Sequence, residues 1–215
     1  MNLSLLFEQP WLFLVFVISF LLTLAVHEFS HALISYVLGD RTAQREGRLT
    51  LNPVAHVDIL GFLALVTVGF GWGKPVPFNP YNLKYQKWGP TFIAIAGPVS
   101  NLVFGTVCIL LATLLAQVFG WSASNLLLVT LSFMGYLNFL LLLFNLIPLP
   151  PLDGSKVLLA LLSSEAHRSV RQALEQYGPM ILLVLMILDS AANIGFFGWI
   201  GSVARVMVQT VASFV

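Results

Sequence analysis

Long apolar runs separated by short polar segments dominate the pattern of this chain. The runs cover residues 11–38, 89–118, 125–147, about 177–189 and 196–213. The first three are long enough for helices that cross a hydrocarbon core about 30 Å thick, whereas 177–189 is short for that task. The pattern therefore predicts an all-α polytopic membrane protein with about five transmembrane helices.

The region between the first two runs follows a different pattern. Residues 39–58 are polar, and the alternation near Leu49–Leu51, followed by Asn52-Pro53, predicts a short strand and a turn. The apolar stretch Ile59–Phe70 is only about a dozen residues long, which is too short for a spanning helix. We therefore expect a re-entrant or β-hairpin-like segment near 49–80.

The composition agrees with a membrane location. Hydrophobic residues make up 58% of the chain and charged residues 9%, and the mean hydropathy is +0.91, whereas soluble domains have about 25% charged residues. The net charge of +1 gives no indication of nucleic-acid binding. The single cysteine, Cys108, lies in an apolar run and is predicted to be a packing residue. Because no linker interrupts the chain, residues 1–215 are predicted to form a single membrane-embedded domain.

Lysine and arginine residues are concentrated in two segments. If 59–70 does not cross the membrane, segments 39–88 and 149–176 lie on the same side. They hold nine of the ten basic residues: Arg41, Arg45, Arg48, Lys74, Lys84, Lys87, Lys156, Arg168 and Arg171. The positive-inside rule makes this side cytosolic in a multi-pass cell-membrane protein. The amino terminus and the turns at 119–124 and 190–195 are then expected outside.

His27, Glu28 and His31 place three ionisable side chains inside the first apolar run. Such groups are costly in a membrane and are therefore candidates for function. His27 and His31 are four residues apart, so both imidazoles lie on one helix face and can hold one ion. Glu28 can reach a water molecule on that ion and act as a general base. The pattern predicts a catalytic zinc site in the cytosolic half of the helix.

A catalytic zinc ion usually takes three protein ligands and one water molecule. The candidates for the third ligand are Asp153, His56, Asp58, Glu165, His167 and Asp189. Asp153 is favoured because Pro148, Pro150 and Pro151 end the preceding helix. Irregular backbone inside a membrane is tolerated only where it lines a cavity or is buried in protein. The alternative is that Asp153 only caps the helix that follows it.

Small and polar residues recur on the second and third runs. Gly97, Asn101 and Gly105 repeat every four residues, so they form one stripe that allows close helix approach. The glycines are predicted to serve packing, whereas Asn101 is predicted either to pack between helices or to contact substrate. On the third run, Asn138 and Asn145 share a face.

Three motifs together resemble the signatures of the site-2 protease family of intramembrane zinc metalloproteases. They are His27–His31 in a membrane helix, Gly97–Asn101, and Asn145–Gly154, which ends in Asp153-Gly154. The resemblance extends over residues 25–155 and implies one zinc ion held by His27, His31 and Asp153, with Glu28 as the catalytic base.

The resemblance also implies roles for other residues and for partners. Asn145 is expected near the metal, where it helps to hold the substrate or its developing oxyanion. His56 is a candidate at the edge of the site, although a surface histidine fits its loop equally well. Family members cleave single-span membrane proteins, such as anti-sigma factors, membrane-tethered regulators or signal-peptide remnants, in regulated intramembrane proteolysis. Many carry a PDZ or CBS domain, for which this sequence has no room, so we expect a minimal core form.

The residues leave two other functions open. One is a membrane metallopeptidase whose third ligand is Glu165 or Glu175, although neither explains the prolines before Asp153. The other is a non-catalytic zinc-binding membrane protein or transporter. Glu28 argues against this second function, because a storage site needs no base.

Overall fold

The first apolar run forms one long helix. The structure is a computed structural model that describes residues 7–69, 71–192 and 194–215. Helix α1 covers Pro10–Val37 and has 28 residues, which corresponds to about 42 Å. Pro10 suits the first turn, where a backbone N–H has no helical partner. The chain leaves the helix through Gly39, whose φ of 106° carries no steric cost for glycine.

Seven further helices follow in the described residues. They are α2 (Thr42–Arg45), α3 (Ile59–Val68), α4 (Gly89–Phe119), α5 (Leu126–Asn145), α6 (Gly154–Leu161), α7 (Arg168–Ala192) and α8 (Phe196–Ala212). Short 3₁₀ turns lie at Pro53–Ala55, Pro80–Asn82 and Glu165–His167. Three helices, α1, α4 and α5, are long and apolar enough to cross a membrane. The all-helical prediction is confirmed, but the count of about five spans is not.

Helix α5 lies at the centre of the bundle and packs against α4, α1 and α8. One apolar core joins α1, α3 and α5 through Phe16, Phe20, Leu24, Leu65 and Leu137. A second core joins α4, α5 and α8 through Ile109, Phe139, Leu142 and Ala204. At the crossing of α4 and α5, a Cβ on Gly135 would lie 2.4 Å from Ile109 Cδ1, and one on Gly105 would lie 2.9 Å from Asn138 Cβ. The packing role predicted for Gly105 therefore agrees with its surroundings.

The polar segment after α1 contains no strand in the described part of the chain, so the strand predicted at Leu49–Leu51 is wrong. Side-chain oxygens accept hydrogen bonds from the backbone N–H groups there instead. Thr50 Oγ1 accepts a hydrogen bond from the Asn52 N–H at 3.1 Å, and Asn52 Oδ1 accepts one from the Val54 N–H at 3.1 Å. Such local bonds compete with the ladder of a sheet and lead into the turn at Pro53–Ala55.

Helix α3 lies within a loop whose two ends are adjacent. Val57 forms an isolated antiparallel bridge with Gly73, and the Lys74 N–H donates to the His56 carbonyl at 2.8 Å. A Cβ on Gly61 would lie 2.1 Å from the Trp72 carbonyl oxygen, so the returning chain passes directly beside the first turn of α3. The two ends of this loop therefore lie side by side.

Helices α7 and α8 are arranged differently from the prediction. A Cβ on Gly178 in α7 would lie 2.9 Å from Pro150 Cβ, close to the end of α5. The Phe197 ring at the start of α8 lies 6.1 Å from the Phe144 ring, which is also at the end of α5. The turn between α7 and α8 therefore lies at the end of the bundle where α1 and α5 end, and not at the opposite end. The apolar part of α7, residues 177–189, is about 20 Å long and therefore too short to cross the core.

Asp40 joins the end of α1 to the loop before α4. Its side chain is fully buried and accepts hydrogen bonds from Thr42 Oγ1 at 2.7 Å, the Asn79 N–H at 2.7 Å and Asn82 Nδ2 at 3.0 Å. Burial acts to raise the pKa of the Asp40 carboxyl, but the bonds from Asn82, Thr42 and Asn79 outweigh it and hold the pKa below its usual range.

We expect Asp40→Asn to destabilise the protein by about 1–3 kcal/mol, because an amide N–H would face donors that need an acceptor. The stabilisation from Asp40 is present above the pKa of an unfolded aspartate and is lost as pH falls through the lower folded value. Thermal unfolding in detergent between pH 7 and pH 3 measures both effects.

Asp58→Asn is the matched control. Asp58 caps α3 by accepting from the Gly61 N–H at 2.8 Å, and asparagine caps about as well as aspartate. Equal stability of the two variants would contradict the role assigned to Asp40.

Candidate metal centre

Two histidines of α1 and one aspartate before α6 meet at one point. His27 and His31 are one helical turn apart, and their Nε2 atoms are 3.0 Å from each other. Asp153 Oδ2 lies 3.2 Å from His27 Nε2 and 3.4 Å from His31 Nε2. Both histidines are buried. In the part of the chain that the structure describes, these three residues form the group that can hold a metal ion.

The segment after α5 brings Asp153 to the histidines. Helix α5 ends at Asn145, since the prolines that follow cannot continue a hydrogen-bonded helix. The chain then folds back so tightly that a Cβ on Gly154 would lie 2.4 Å from the Leu146 carbonyl oxygen. The Asp153 side chain makes no capping hydrogen bond to α6. The alternative that Asp153 serves only as a helix cap therefore has no support in the geometry.

The hydrogen bond made by Nδ1 of each imidazole determines whether Nε2 can act as a metal ligand. His31 Nδ1 lies 2.7 Å from the Ile93 carbonyl oxygen, and His27 Nδ1 lies 2.6 Å from Asn101 Oδ1. Carbonyl and amide oxygens only accept, so each Nδ1 carries a proton, and in the neutral imidazole each Nε2 then presents a lone pair. Such outer partners are typical of metal-bound histidines.

The three facing atoms fit a zinc ion. Two imidazole nitrogens and a carboxylate oxygen meet at one point inside the protein, and all three are atoms that zinc takes as ligands. Tetrahedral zinc with bonds of 2.0–2.1 Å separates its ligand atoms by about 3.3 Å. The distances of 3.0, 3.2 and 3.4 Å lie close to that value.

Gly97 of α4 lines the site. A Cβ at this position would lie 2.5 Å from His27 Cε1, 2.6 Å from His27 Nε2 and 2.6 Å from His31 Cε1. Only a residue without a side chain lets α4 approach both imidazoles this closely. The packing role predicted for Gly97 thus has a specific location beside the candidate ligands.

Asn101 lies between the helices and bonds to residues of both α1 and α5. Its side chain is fully buried, and its two ends bond to His27 Nδ1 and to Asn138 Oδ1, the latter at 2.8 Å. Both ends are thus used inside the protein, and the alternative prediction, a bond between helices, describes its position.

Asn145 is half-buried and donates from Nδ2 to the Leu141 carbonyl at 3.1 Å. Glu28 is buried next to His27 on α1.

His56 is neither at the surface nor exposed to substrate. It is fully buried, and its Nε2 lies 2.7 Å from the Thr50 carbonyl oxygen. Its Nδ1 faces Arg48 Nη2 at 3.4 Å. Burial and the neighbouring Arg48 cation lower the pKa of His56, against the opposing effects of Thr50 and Glu28. The neutral His56 therefore accepts a hydrogen bond from Arg48 through Nδ1 and helps to fix the position of the guanidinium group.

Arg48 is a buried cation that the sequence did not single out as a site residue. Its guanidinium donates to the carbonyl oxygens of Lys74 and Pro75, the latter at 3.1 Å. Burial lowers the pKa of Arg48, and the carboxylates of Glu28 and Glu46 act in the opposite direction, so Arg48 lies within the electrostatic field of Glu28. Arg48 thereby attaches the segment at 74–75 to the loop that carries His56.

The remaining candidates for a third ligand have other positions. Asp58 caps α3, and Asp189 accepts from the Phe196 N–H at 2.7 Å. His167 pairs with Ser164, while Glu165 is exposed and lies 3.7 Å from Arg168. Glu175 is exposed on α7. None of these joins the group formed by the two histidines and Asp153.

Two further residues near the site received no role from the sequence. Asn138 and Thr23 are fully buried and continue the hydrogen-bond chain from Asn101. Polar residues inside the apolar runs were the available signal, because such groups must find partners in the bundle. Their hydrogen bonds join three helices and therefore depend on how the helices pack. The spacing of residues within a single helix does not predict these partners.

We expect Gly97→Ala to lower zinc affinity by about tenfold or more, because the methyl group displaces the imidazoles from their common point. Overpacking should also cost about 1–3 kcal/mol of stability. Zinc content after dialysis against a chelator, together with thermal unfolding in detergent, measures the two effects.

Gly198→Ala is the control, since a Cβ at Gly198 in α8 meets nothing within 4 Å. It should leave both zinc binding and stability near the wild-type values. Full zinc retention by Gly97→Ala would show that α4 does not constrain the site.

Comparisons with known proteins identify the family. The sequence model of Peptidase family M50 matches residues 114–188, which include Asn145 and Asp153. The chain is 37% identical over 183 residues to YwhC of Bacillus subtilis (strain 168), covering 83% of this chain and 81% of the relative. It is 32% identical over 195 residues to Rip2 of Mycolicibacterium smegmatis, covering 86% and 71%. Both relatives carry the name "Putative zinc metalloprotease". A search of solved structures found no significant match. The chain therefore belongs to Peptidase family M50, the site-2 protease family of intramembrane zinc metalloproteases that its motifs resemble.

Proposed function

We propose that this chain hydrolyses peptide bonds within or near the membrane-spanning segments of other proteins, with one zinc ion held by His27, His31 and Asp153. The observation that carries the proposal is the meeting of two imidazole nitrogens and a carboxylate oxygen, 3.0–3.4 Å apart. When bound, zinc supplies Lewis-acid activation of a water molecule and of the scissile carbonyl. The names of the relatives agree with zinc as the metal.

Glu28 is the proposed general base. It follows His27 on α1 and is buried at the site, where a carboxylate can take a proton from the attacking water and return it to the leaving amine. The Arg48 cation lies within its electrostatic field. A site that only stores zinc has no need for a buried carboxylate beside the ligands, so this residue favours hydrolysis over storage.

Asn145 is the proposed substrate-side donor. Its Nδ2 uses one N–H on the Leu141 carbonyl, and the amide has a second N–H. The residue is half-buried at the end of α5, eight positions before Asp153. A donor at this position can hold the substrate carbonyl or stabilise the negative charge that develops on it.

The substrate must be extended where it is cut, because the peptide bonds of a helix are shielded by their own hydrogen bonds. Residues 73–77 lie outside any helix and are held by the Val57–Gly73 bridge and by Arg48. We propose that this segment offers an edge along which an unwound substrate lies. In this arrangement His56 supports Arg48 and does not itself touch the substrate.

The substrates that fit such a site are single-span membrane proteins, of which anti-sigma factors, tethered regulators and signal-peptide remnants are the proposed classes. The metal end of the bundle is the proposed cytosolic end, since nine of the ten basic residues lie in segments 39–88 and 149–176. We propose that residues 57–73 enter the membrane from this side and return to it, and that residues 1–215 act as one domain.

We expect Glu28→Gln to keep zinc, because Glu28 is not a ligand, and to lower the cleavage rate by about 10²–10⁴-fold.

Asp153→Asn should lower zinc occupancy, because a neutral ligand replaces an anionic one. It should leave the start of α6 intact, because Asp153 makes no capping bond there. Zinc content and thermal stability of the purified proteins give these values. A comparison of membrane-protein fragments in cells that carry wild type or Glu28→Gln identifies the substrates and the change in cleavage.

The outcomes separate the possible functions. Near-normal cleavage by Glu28→Gln would remove this residue from the mechanism. A folded Asp153→Asn protein with full zinc and full activity would show that the third ligand is another residue, and Glu165 would be tested next. Wild-type protein that binds zinc, with no fragment that depends on Glu28, would indicate the non-catalytic metal-binding function.

The orientation has its own test. Gln44 is exposed on α2 at the metal end, and the native Cys108 is buried. We expect Gln44→Cys to react with a membrane-impermeant thiol reagent only when the cytosolic face is accessible.

Ser124→Cys is the matched control at the opposite end, because Ser124 is exposed in the turn between α4 and α5. It should react from outside in intact cells. Labelling of Gln44→Cys in intact cells would reverse the proposed topology.

A further inference from the structure

A chain of buried amides runs from the metal site through three helices. It begins at His27 Nδ1 on α1, passes to Asn101 on α4 and ends at Asn138 on α5. From there Asn138 Nδ2 reaches Thr23 Oγ1 at 2.9 Å and the Met134 carbonyl oxygen at 2.8 Å. Asn101, Asn138 and Thr23 are all fully buried, so the protein itself must satisfy their polar atoms.

One group in this chain has only one possible role. The Met134 carbonyl oxygen accepts hydrogen bonds and cannot donate them, so the end of the Asn138 amide that faces it must be Nδ2. Asn138 Oδ1 then faces Asn101, whose facing atom must be its Nδ2. Asn101 Oδ1 is thereby turned towards His27 and can only accept.

The direction of the chain determines the tautomer of His27. An acceptor at Nδ1 keeps the proton on that nitrogen and leaves the Nε2 lone pair towards Asp153 and His31. Were the Asn101 amide reversed, its N–H groups would face Nδ1 and favour a proton on Nε2. That tautomer places a hydrogen where the metal would bind.

We propose that Asn138 is a positioning residue of the metal site, which holds His27 in its metal-binding tautomer by dictating the orientation of the Asn101 amide. The inference rests on the proposed zinc site. His31 needs no such relay, because the Ile93 carbonyl fixes its Nδ1 proton directly. The two ligands of α1 are thus oriented by different means, one by backbone and one through two side chains.

The test uses the full chain in detergent and measures zinc affinity by competition with a chelator. Asn138→Leu has a similar shape but no acceptor for Asn101 Nδ2. In this variant, either orientation of the Asn101 amide leaves one of its buried polar atoms unpaired. The reversed orientation is then no longer disfavoured and becomes populated. We expect zinc affinity to fall by about 10–100-fold, the range found for the loss of an outer partner of a metal-bound histidine.

Thr23→Val is the matched control. It removes the other acceptor of Asn138 Nδ2 but leaves the Met134 carbonyl, so the direction of the chain persists and zinc affinity should stay near wild type. A loss with Thr23→Val equal to that with Asn138→Leu would show that general packing, and not amide direction, governs the site. That result would overturn the inference.

A rescue variant distinguishes positioning from simple damage. In the double variant Asn101→Asp with Asn138→Leu, a carboxylate faces His27 and can only accept, so His27 keeps its Nδ1 proton without help from residue 138. We expect most of the lost zinc affinity to return. No recovery in a folded double variant would contradict the inference.

Two further results keep the inference and the proposed function apart. Wild-type protein that binds no zinc would overturn both. Wild-type protein that binds zinc as tightly as Asn138→Leu would overturn only the role of Asn138. If Asn138→Leu does not fold, Asn138→Ala removes the same acceptor with less bulk, and its zinc affinity is measured in its place.

Discussion

Three acceptor atoms face one another inside an apolar bundle, and this convergence is the interaction on which the rest of the structure depends. Two imidazole nitrogens and a carboxylate oxygen lie 3.0–3.4 Å apart. A cation at this point would be held strongly, because the surroundings screen charge poorly. Two of the atoms come from one turn of α1, so their spacing follows from helix geometry. The third comes from a segment that prolines prevent from continuing as a helix.

Helix α4 serves this site through one stripe of residues. Gly97 leaves room for the two imidazoles, Asn101 orients His27, and Gly105 lets α4 pack closely on α5. Each role needs a small or polar side chain on the same face, at intervals of one helical turn. A stripe that looks like ordinary packing in the sequence therefore combines packing with the support of the metal ligands.

The loops at the metal end are held by buried charges that bond to both backbone and side-chain groups. Asp40, at the end of α1, accepts hydrogen bonds from Asn79 and Asn82 at the turn Pro80–Asn82. Arg48 donates hydrogen bonds to the carbonyl oxygens of Lys74 and Pro75. Buried charges of this kind are tolerated where hydrogen bonds replace their lost hydration. They give residues 73–77 a defined place, with Gly73 next to Leu24 of α1, although this segment belongs to no sheet.

The sequence by itself determined the helical membrane class, the three long apolar helices and the pairing of His27 with His31, because apolar run length and the spacing of the two histidines are properties of a single helix. It also indicated Asp153, because the prolines before it have a local effect. It did not determine the path of α7 and α8 or the absence of a strand at Leu49–Leu51, which depend on contacts with distant segments. Only the tertiary structure decided that Asp153 does not cap α6, that Asn101 and Asn138 form a directed chain to His27, and that His56 and Arg48 are buried together. The reason is that a buried polar side chain takes its role from the partner it finds across the bundle, and that partner lies far away in the sequence.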